Sequence, residues 1–144
     1  LLAGAAFSNS MGGLVHAIGH ALGGVCHVAH GEAMTILLPA VMQYNLEKCK
    51  ERYGELLLPL AGPEVYAATP AELRAQKTID TLVALRQQLA DLTGLPTTLS
   101  QTGRVKPEQF DEVASTALND GAIIVNPAEA NHEEIVGILR EVWA

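Results

Sequence analysis

The first 31 residues contain no Asp, Glu, Lys or Arg, yet they hold His16, His20 and His30. A stretch of that composition predicts burial, and an imidazole is costly in an apolar interior unless its nitrogens are satisfied. Of the 9 basic and 16 acidic side chains, only Glu32 falls within the first 46 residues. The first third therefore reads as the interior of something larger. Its opening, Leu1-Leu2-Ala3-Gly4-Ala5-Ala6-Phe7, has the composition of a helix middle. A membrane span is disfavoured, because Ser8-Asn9-Ser10 and the imidazoles would be costly in lipid.

A chain of 144 residues with 49% apolar side chains suffices for one domain, or a piece of one, with a sizeable core. The formal net charge of -7 argues against nucleic acid and anionic membranes as partners. Two cysteines, Cys26 and Cys49, do not make a disulfide framework, and the first residues lack a basic leader region, so a reducing cytoplasm is expected.

Periodicity predicts an all-α fold. Leu1 to about Asn9 reads as a short apolar helix and Gly12 to Gly24 as a second, with Gly-Gly as start and stop. Gly19 inside it costs about 1 kcal/mol against Ala, a cost that close approach of a ligand or another backbone would offset. A third helix starts near His30 and should bend at Pro39. Thr69-Pro70-Ala71-Glu72 has the form of a capped helix start, with Gly94 and Pro96 as its stop. Lys106-Pro107-Glu108 opens another helix ending near Asp120-Gly121, and Asn131-His132-Glu133-Glu134 is a capping-box start for the last. Ala122-Ile123-Ile124-Val125 is the one strand-like run, and its neighbours Asn126-Pro127 make it a buried loop.

His16 and His20 are four residues apart, so on a helix both rings stand on one face. With His30 after a turn, they could converge on one divalent ion, since zinc and iron(II) both accept neutral imidazole. Three nitrogens leave such a site incomplete. Glu32, two residues from His30, points to another side of the helix and does not complete it. A lone His16 would more often be a core histidine bonded to a backbone carbonyl; the three together argue for a shared site. His27 reads as a turn residue, His132 as structural, and Cys26 as a small buried apolar residue. The paired glycines do not follow a strand, so a phosphate cradle is not supported.

The run Gly13-Leu14-Val15-His16-Ala17-Ile18-Gly19-His20-Ala21-Leu22-Gly23, then His30-Gly31-Glu32-Ala33 and Ile36-Leu37-Leu38-Pro39, closely resembles the signature of the iron-containing (group III) alcohol dehydrogenases. The likeness extends to Ala5-Ala6-Phe7-Ser8-Asn9 and to the block from Asp120-Gly121 through Asn126-Pro127 and the final helix. The resemblance implies an N-terminal α/β domain that binds NAD(P), and a C-terminal helical bundle of the dehydroquinate-synthase-like type. It implies a metal in the cleft between them, Fe2+ or another divalent ion such as Zn2+. In the family that ion is held by an aspartate and a histidine of an earlier helix and by two histidines matching His16 and His30. His20 matches a histidine with a proton-relay or positioning role near nicotinamide and substrate, and Phe7 a residue lining the substrate pocket. Three departures stand out: Ala29 for the usual proline, Ala128 where arginine is frequent, and Ala122 where some members have cysteine.

On this resemblance, residues 1–144 are expected to be part of the metal-binding helical domain, without the nucleotide-binding domain. The whole enzyme would interconvert a small alcohol and its aldehyde by hydride transfer. The 144-residue chain alone would be inactive. A cut core would also expose apolar surface and favour homo-oligomers. Two other readings fit the same residues: a stand-alone helical module binding metal or haem through His16 and His20, and a helical interaction module.

Overall fold

The computed structural model describes all 144 residues. It has seven α-helices and no strand: α1 (Leu2–Ser10), α2 (Gly13–Cys26), α3 (His30–Ala61), α4 (Pro63–Ala68), α5 (Arg74–Thr93), α6 (Phe110–Leu118) and α7 (His132–Glu141). Short 3₁₀ turns lie at Ala71–Leu73, Ser100–Thr102, Pro107–Gln109 and Gly121–Val125. No helix is long and apolar enough to cross a membrane.

Helix α2 organises the core. Leu14, Ala17, Ile18, Ala21 and Leu22 recur at helical spacing and are buried. They meet Ala33, Ile36, Leu37 and Val41 of α3, Phe110, Val113 and Ala117 of α6, and Ile135 and Leu139 of α7. Each fully buried Leu or Ile contributes about 2 kcal/mol by leaving water. The sequence placed the stop of α2 at Gly23-Gly24, but the helix runs on to Cys26. Buried Leu22 and Cys26 hold that last turn in place, and His27 ends it in the left-handed region at φ 58°.

Three further expectations are corrected. Thr69 does not cap α5. Its hydroxyl donates to the Val65 carbonyl at the end of α4, and α5 opens through a 3₁₀ turn instead. Ala122–Val125 is a 3₁₀ turn of which only Ala122 is buried, while Ile124 is 83% exposed. The largest correction concerns the charge-free opening: α1 has no buried residue, and Phe7 is 52% exposed. Its Ala and Gly residues are apolar all round, so α1 has no single stripe to set against the core.

Helix α3 has 32 residues, about 48 Å of rod. Its first part belongs to the core, and its second part pairs antiparallel with α5, where Thr78 Oγ1 donates to the Tyr53 carbonyl at 2.7 Å. The helix continues through Pro39, which cannot donate to the carbonyl four residues back. One residue beyond that carbonyl, the Ile36 oxygen takes a long 3.4 Å contact from Arg86 of α5. Gly19 admits no ligand: a Cβ there would fall 1.8 Å from the Met34 methyl, so the glycine makes room for that side chain.

The segment after α6 ties the bundle together through Asn126. Its Oδ1 accepts from the Leu14 amide in the first turn of α2 (3.0 Å) and from Asn45 Nδ2 of α3 (3.0 Å). Its Nδ2 donates to Asn45 Oδ1 (2.9 Å) and to the Ala128 carbonyl (2.7 Å). Asn45 is 5% exposed, so losing its partner strands a buried amide. Asn131 and Glu134 form the predicted capping box on α7.

Asn126→Ala should destabilise the chain by about 2–3 kcal/mol, read as a lower urea midpoint. In Asn45→Ala/Asn126→Ala the loss should be smaller than the sum of the single losses, because the pair shares its bonds. Strict additivity would mean that the reciprocal amide pair contributes no coupling.

Candidate metal centre

The core stripe of α2 begins at Leu14, and His16 lies two positions out of phase with it. His16 and His20 therefore stand on the outward face, away from the core. His16 is half-buried and His20 and His30 are exposed, so the expected burial of the imidazoles does not hold. His30 is the first residue of α3, which turns back beside α2. The three rings form a near-equilateral triangle: centroids are 5.7 Å apart for His16–His20, 5.7 Å for His16–His30 and 5.6 Å for His20–His30. Phe7 of α1 adds its ring 5.5 Å from that of His16. All four residues singled out in the sequence thus meet in one place.

Two of the rings have fixed tautomers. A carbonyl only accepts, so His16 Nδ1, 3.1 Å from the Gly12 oxygen, carries the proton. His20 Nδ1 lies 2.8 Å from Asp120 Oδ2 and donates to it. In both rings Nε2 has no hydrogen-bond partner in the protein, the state of a metal-binding or proton-accepting imidazole. Gly12 is required for the first arrangement. A Cβ there would lie 2.5 Å from His16 Cγ and 2.8 Å from its Cβ.

Asp120 is the residue that sequence reading missed. Its other oxygen, Oδ1, accepts from the Ala122 amide at 2.7 Å. Burial pushes its carboxyl up, but the Ala122 amide and the His20 ring outweigh that and hold it below the usual carboxylate range. In the sequence Asp120 marked only a helix end and the start of the family-like block, neither of which assigns its carboxylate a partner, and an Asp ahead of a turn also fits plain capping.

The donors fit a divalent ion only in part. With metal–nitrogen bonds of about 2.1 Å, two rings on one ion stand roughly 5 Å apart, so a small ring rotation would let His16 and His30 share one. No three His, Cys, Asp or Glu side chains are already placed to hold an ion together. The nearest carboxylate, Asp120, is engaged with His20 and Ala122. Remaining candidates lie apart. Cys26 is 4% exposed in the core, its thiol pushed up by burial and then by Glu112. His27 caps α2, and its carbonyl accepts from Arg104 at 2.7 Å. The His132 ring donates to the Asp111 carbonyl at 3.2 Å, a structural tie between α7 and α6. None of the imidazoles lines the widest cleft, about 750 Å³, between the start of α2 and α3.

Comparison with known proteins agrees with this arrangement of helices. The sequence profile described as Fe-containing alcohol dehydrogenase family, C-terminal, matches residues 1–143. The chain is 36% identical over 143 residues to 1,3-propanediol dehydrogenase of Klebsiella pneumoniae, covering 99% of the chain and 35% of that protein. It is 33% identical over 144 residues to alcohol dehydrogenase 4 of Saccharomyces cerevisiae, covering 99% and 34%. The solved structure of an alcohol dehydrogenase from Oenococcus oeni superposes with a TM-score of 0.86 at 34% identity, over 99% of this chain and 35% of its own. The chain thus spans about a third of the length of the relatives it matches. It belongs to the iron-containing alcohol dehydrogenase family and corresponds to the C-terminal region of that family.

Proposed function

We propose that these 144 residues supply the metal-binding face of a C-terminal helical domain in an NAD(P)-dependent alcohol dehydrogenase. The observation that carries this reading is the triangle of His16, His20 and His30, with two Nε2 atoms left free. His16 and His30 hold the divalent ion, Fe2+ or a substitute such as Zn2+. The remaining ligands come from an earlier helix, and the NAD(P) site from an N-terminal nucleotide-binding domain that faces this surface. When bound, the ion supplies Lewis acidity to an alcohol or aldehyde oxygen.

The chain's own side chains do the rest. His20, not a ligand in this reading, offers Nε2 to the substrate hydroxyl proton. Phe7 makes an apolar wall beside His16 that excludes water from the carbon end of a small alcohol. Exposed α1 and the outward Leu85, Leu89 and Leu92 of α5 favour contact with another body. That exposure is also what supports the reading as an interaction module, and it suits a covering domain or a second copy of the chain equally well. The two free cysteines suit a cytoplasmic enzyme.

The purified chain should show no alcohol-dependent reduction of NAD+ or NADP+, followed at the nicotinamide absorbance. It should bind Zn2+ in calorimetry more weakly than a complete site, and His16→Ala or His30→Ala should each weaken that binding about 10-fold or more. Nanomolar affinity in the isolated chain would show that it owns a full ligand set.

Gly12→Ala is a second test, because Gly12 already has helical backbone angles and only the new methyl intrudes. It should weaken Zn2+ binding severalfold by displacing His16, whose Cβ as well as its ring the methyl would meet, and should lower the melting temperature. Unchanged affinity would mean that the His16 ring is free to move.

A further inference from the structure

The contact between His20 and Asp120 joins residues 100 apart in the chain. It exists because α6, which ends just before Asp120, packs along α2. The Asp120 amide donates to the Ala117 carbonyl at 3.1 Å, so its backbone is held as the last turn of α6 closes. Both side-chain oxygens are committed, Oδ1 to the Ala122 amide at 2.7 Å and Oδ2 to His20 Nδ1 at 2.8 Å. The carboxylate is therefore placed by the protein before the imidazole meets it.

Capping alone does not account for this geometry. A cap needs one oxygen, and Ala122 already takes it. Stability does not account for it either: the two side chains are 46% and 25% exposed, and ion pairs at such positions contribute little. What the contact does is select one tautomer. A free neutral histidine chooses between two nitrogens, whereas an acceptor fixed at Nδ1 forces the proton there and leaves Nε2 bare.

We propose that Asp120 is the positioning residue for His20, fixing the ring's orientation and keeping its proton on Nδ1 so that Nε2 is always the open acceptor. This rests on the reading above only for what His20 then does with Nε2; the clamp itself stands on the two hydrogen bonds. In the reaction, the substrate O–H bond breaks, its proton forms a new bond to His20 Nε2, and the electron pair stays on the alcohol oxygen. The adjacent carboxylate balances the charge that the ring acquires.

The test separates the clamp from the chemistry. In Asp120→Ser the hydroxyl keeps the cap on Ala122 and loses the reach to His20. Long-range proton–nitrogen NMR of the chain at a pH where His20 is neutral should show protonated Nδ1 in the wild type. In Asp120→Ser, and in Asp120→Ala if it folds, the ring should move toward the Nε2-protonated form. A His20 tautomer identical in wild type and Asp120→Ser overturns the proposal. In the intact enzyme with its nucleotide-binding part, Asp120→Ser should lower kcat about 10- to 100-fold at unchanged metal content and nearly unchanged KM. It should add nothing further in a His20→Gln background. A tautomer that shifts while kcat holds supports the clamp and overturns the proton-accepting reading of His20.

Discussion

The first turn of α2 is pinned from outside the helix. The Leu14 amide has no partner within α2, and the Asn126 side chain, 112 residues away, supplies one. The same amide group grips Asn45 of α3 from both of its ends. Tyr44, next to Asn45, donates its hydroxyl to the Glu129 carbonyl in the same segment. Six residues before Asn126, Asp120 holds His20 farther along α2. Residues 120–126 therefore act as a strap fastened to α2 at two points. The orientation of the imidazoles depends on the strap together with the core stripe: the strap anchors α2 at two points, and the packed stripe sets its rotation.

That rotation divides α2 into two jobs. The Leu14–Leu22 stripe enters the core, and the face half a turn away carries His16 and His20. A rotation large enough to carry an imidazole toward the core would carry Ile18 out of it, so the core fixes the phase of the site. The site is consequently an open face and not a closed pocket. Such a face suits a centre whose remaining donors come from elsewhere.

Much of this was legible in the sequence where the signal is local. The all-α class, the capping box at Asn131, the left-handed stop at Gly94 and the i, i+4 pairing of His16 with His20 follow from neighbours in the chain. The meeting of His16, His20 and His30 was anticipated from their spacing, whereas Phe7 was drawn in only by the family resemblance. Failures came where distance in sequence decides. Thr69 had the form of a cap, but a carbonyl at the end of α4 was the nearer partner. Freedom from charge in α1 reads as burial only if a partner surface exists, and within these residues none covers it. Asp120 and Asn126 carry no periodic signal, because their partners lie 100 and 112 positions away.

The length of α3 has a mechanical consequence. The rod is held twice: its core stretch Ile36–Val41 begins about 9 Å from His30, and its far half is tied to α5 through Thr78 and the Tyr53 carbonyl. A displacement of the tip near Ala61 must pass both holds before it reaches His30. The imidazole at the opposite end is thereby insulated from bending of the distal turns.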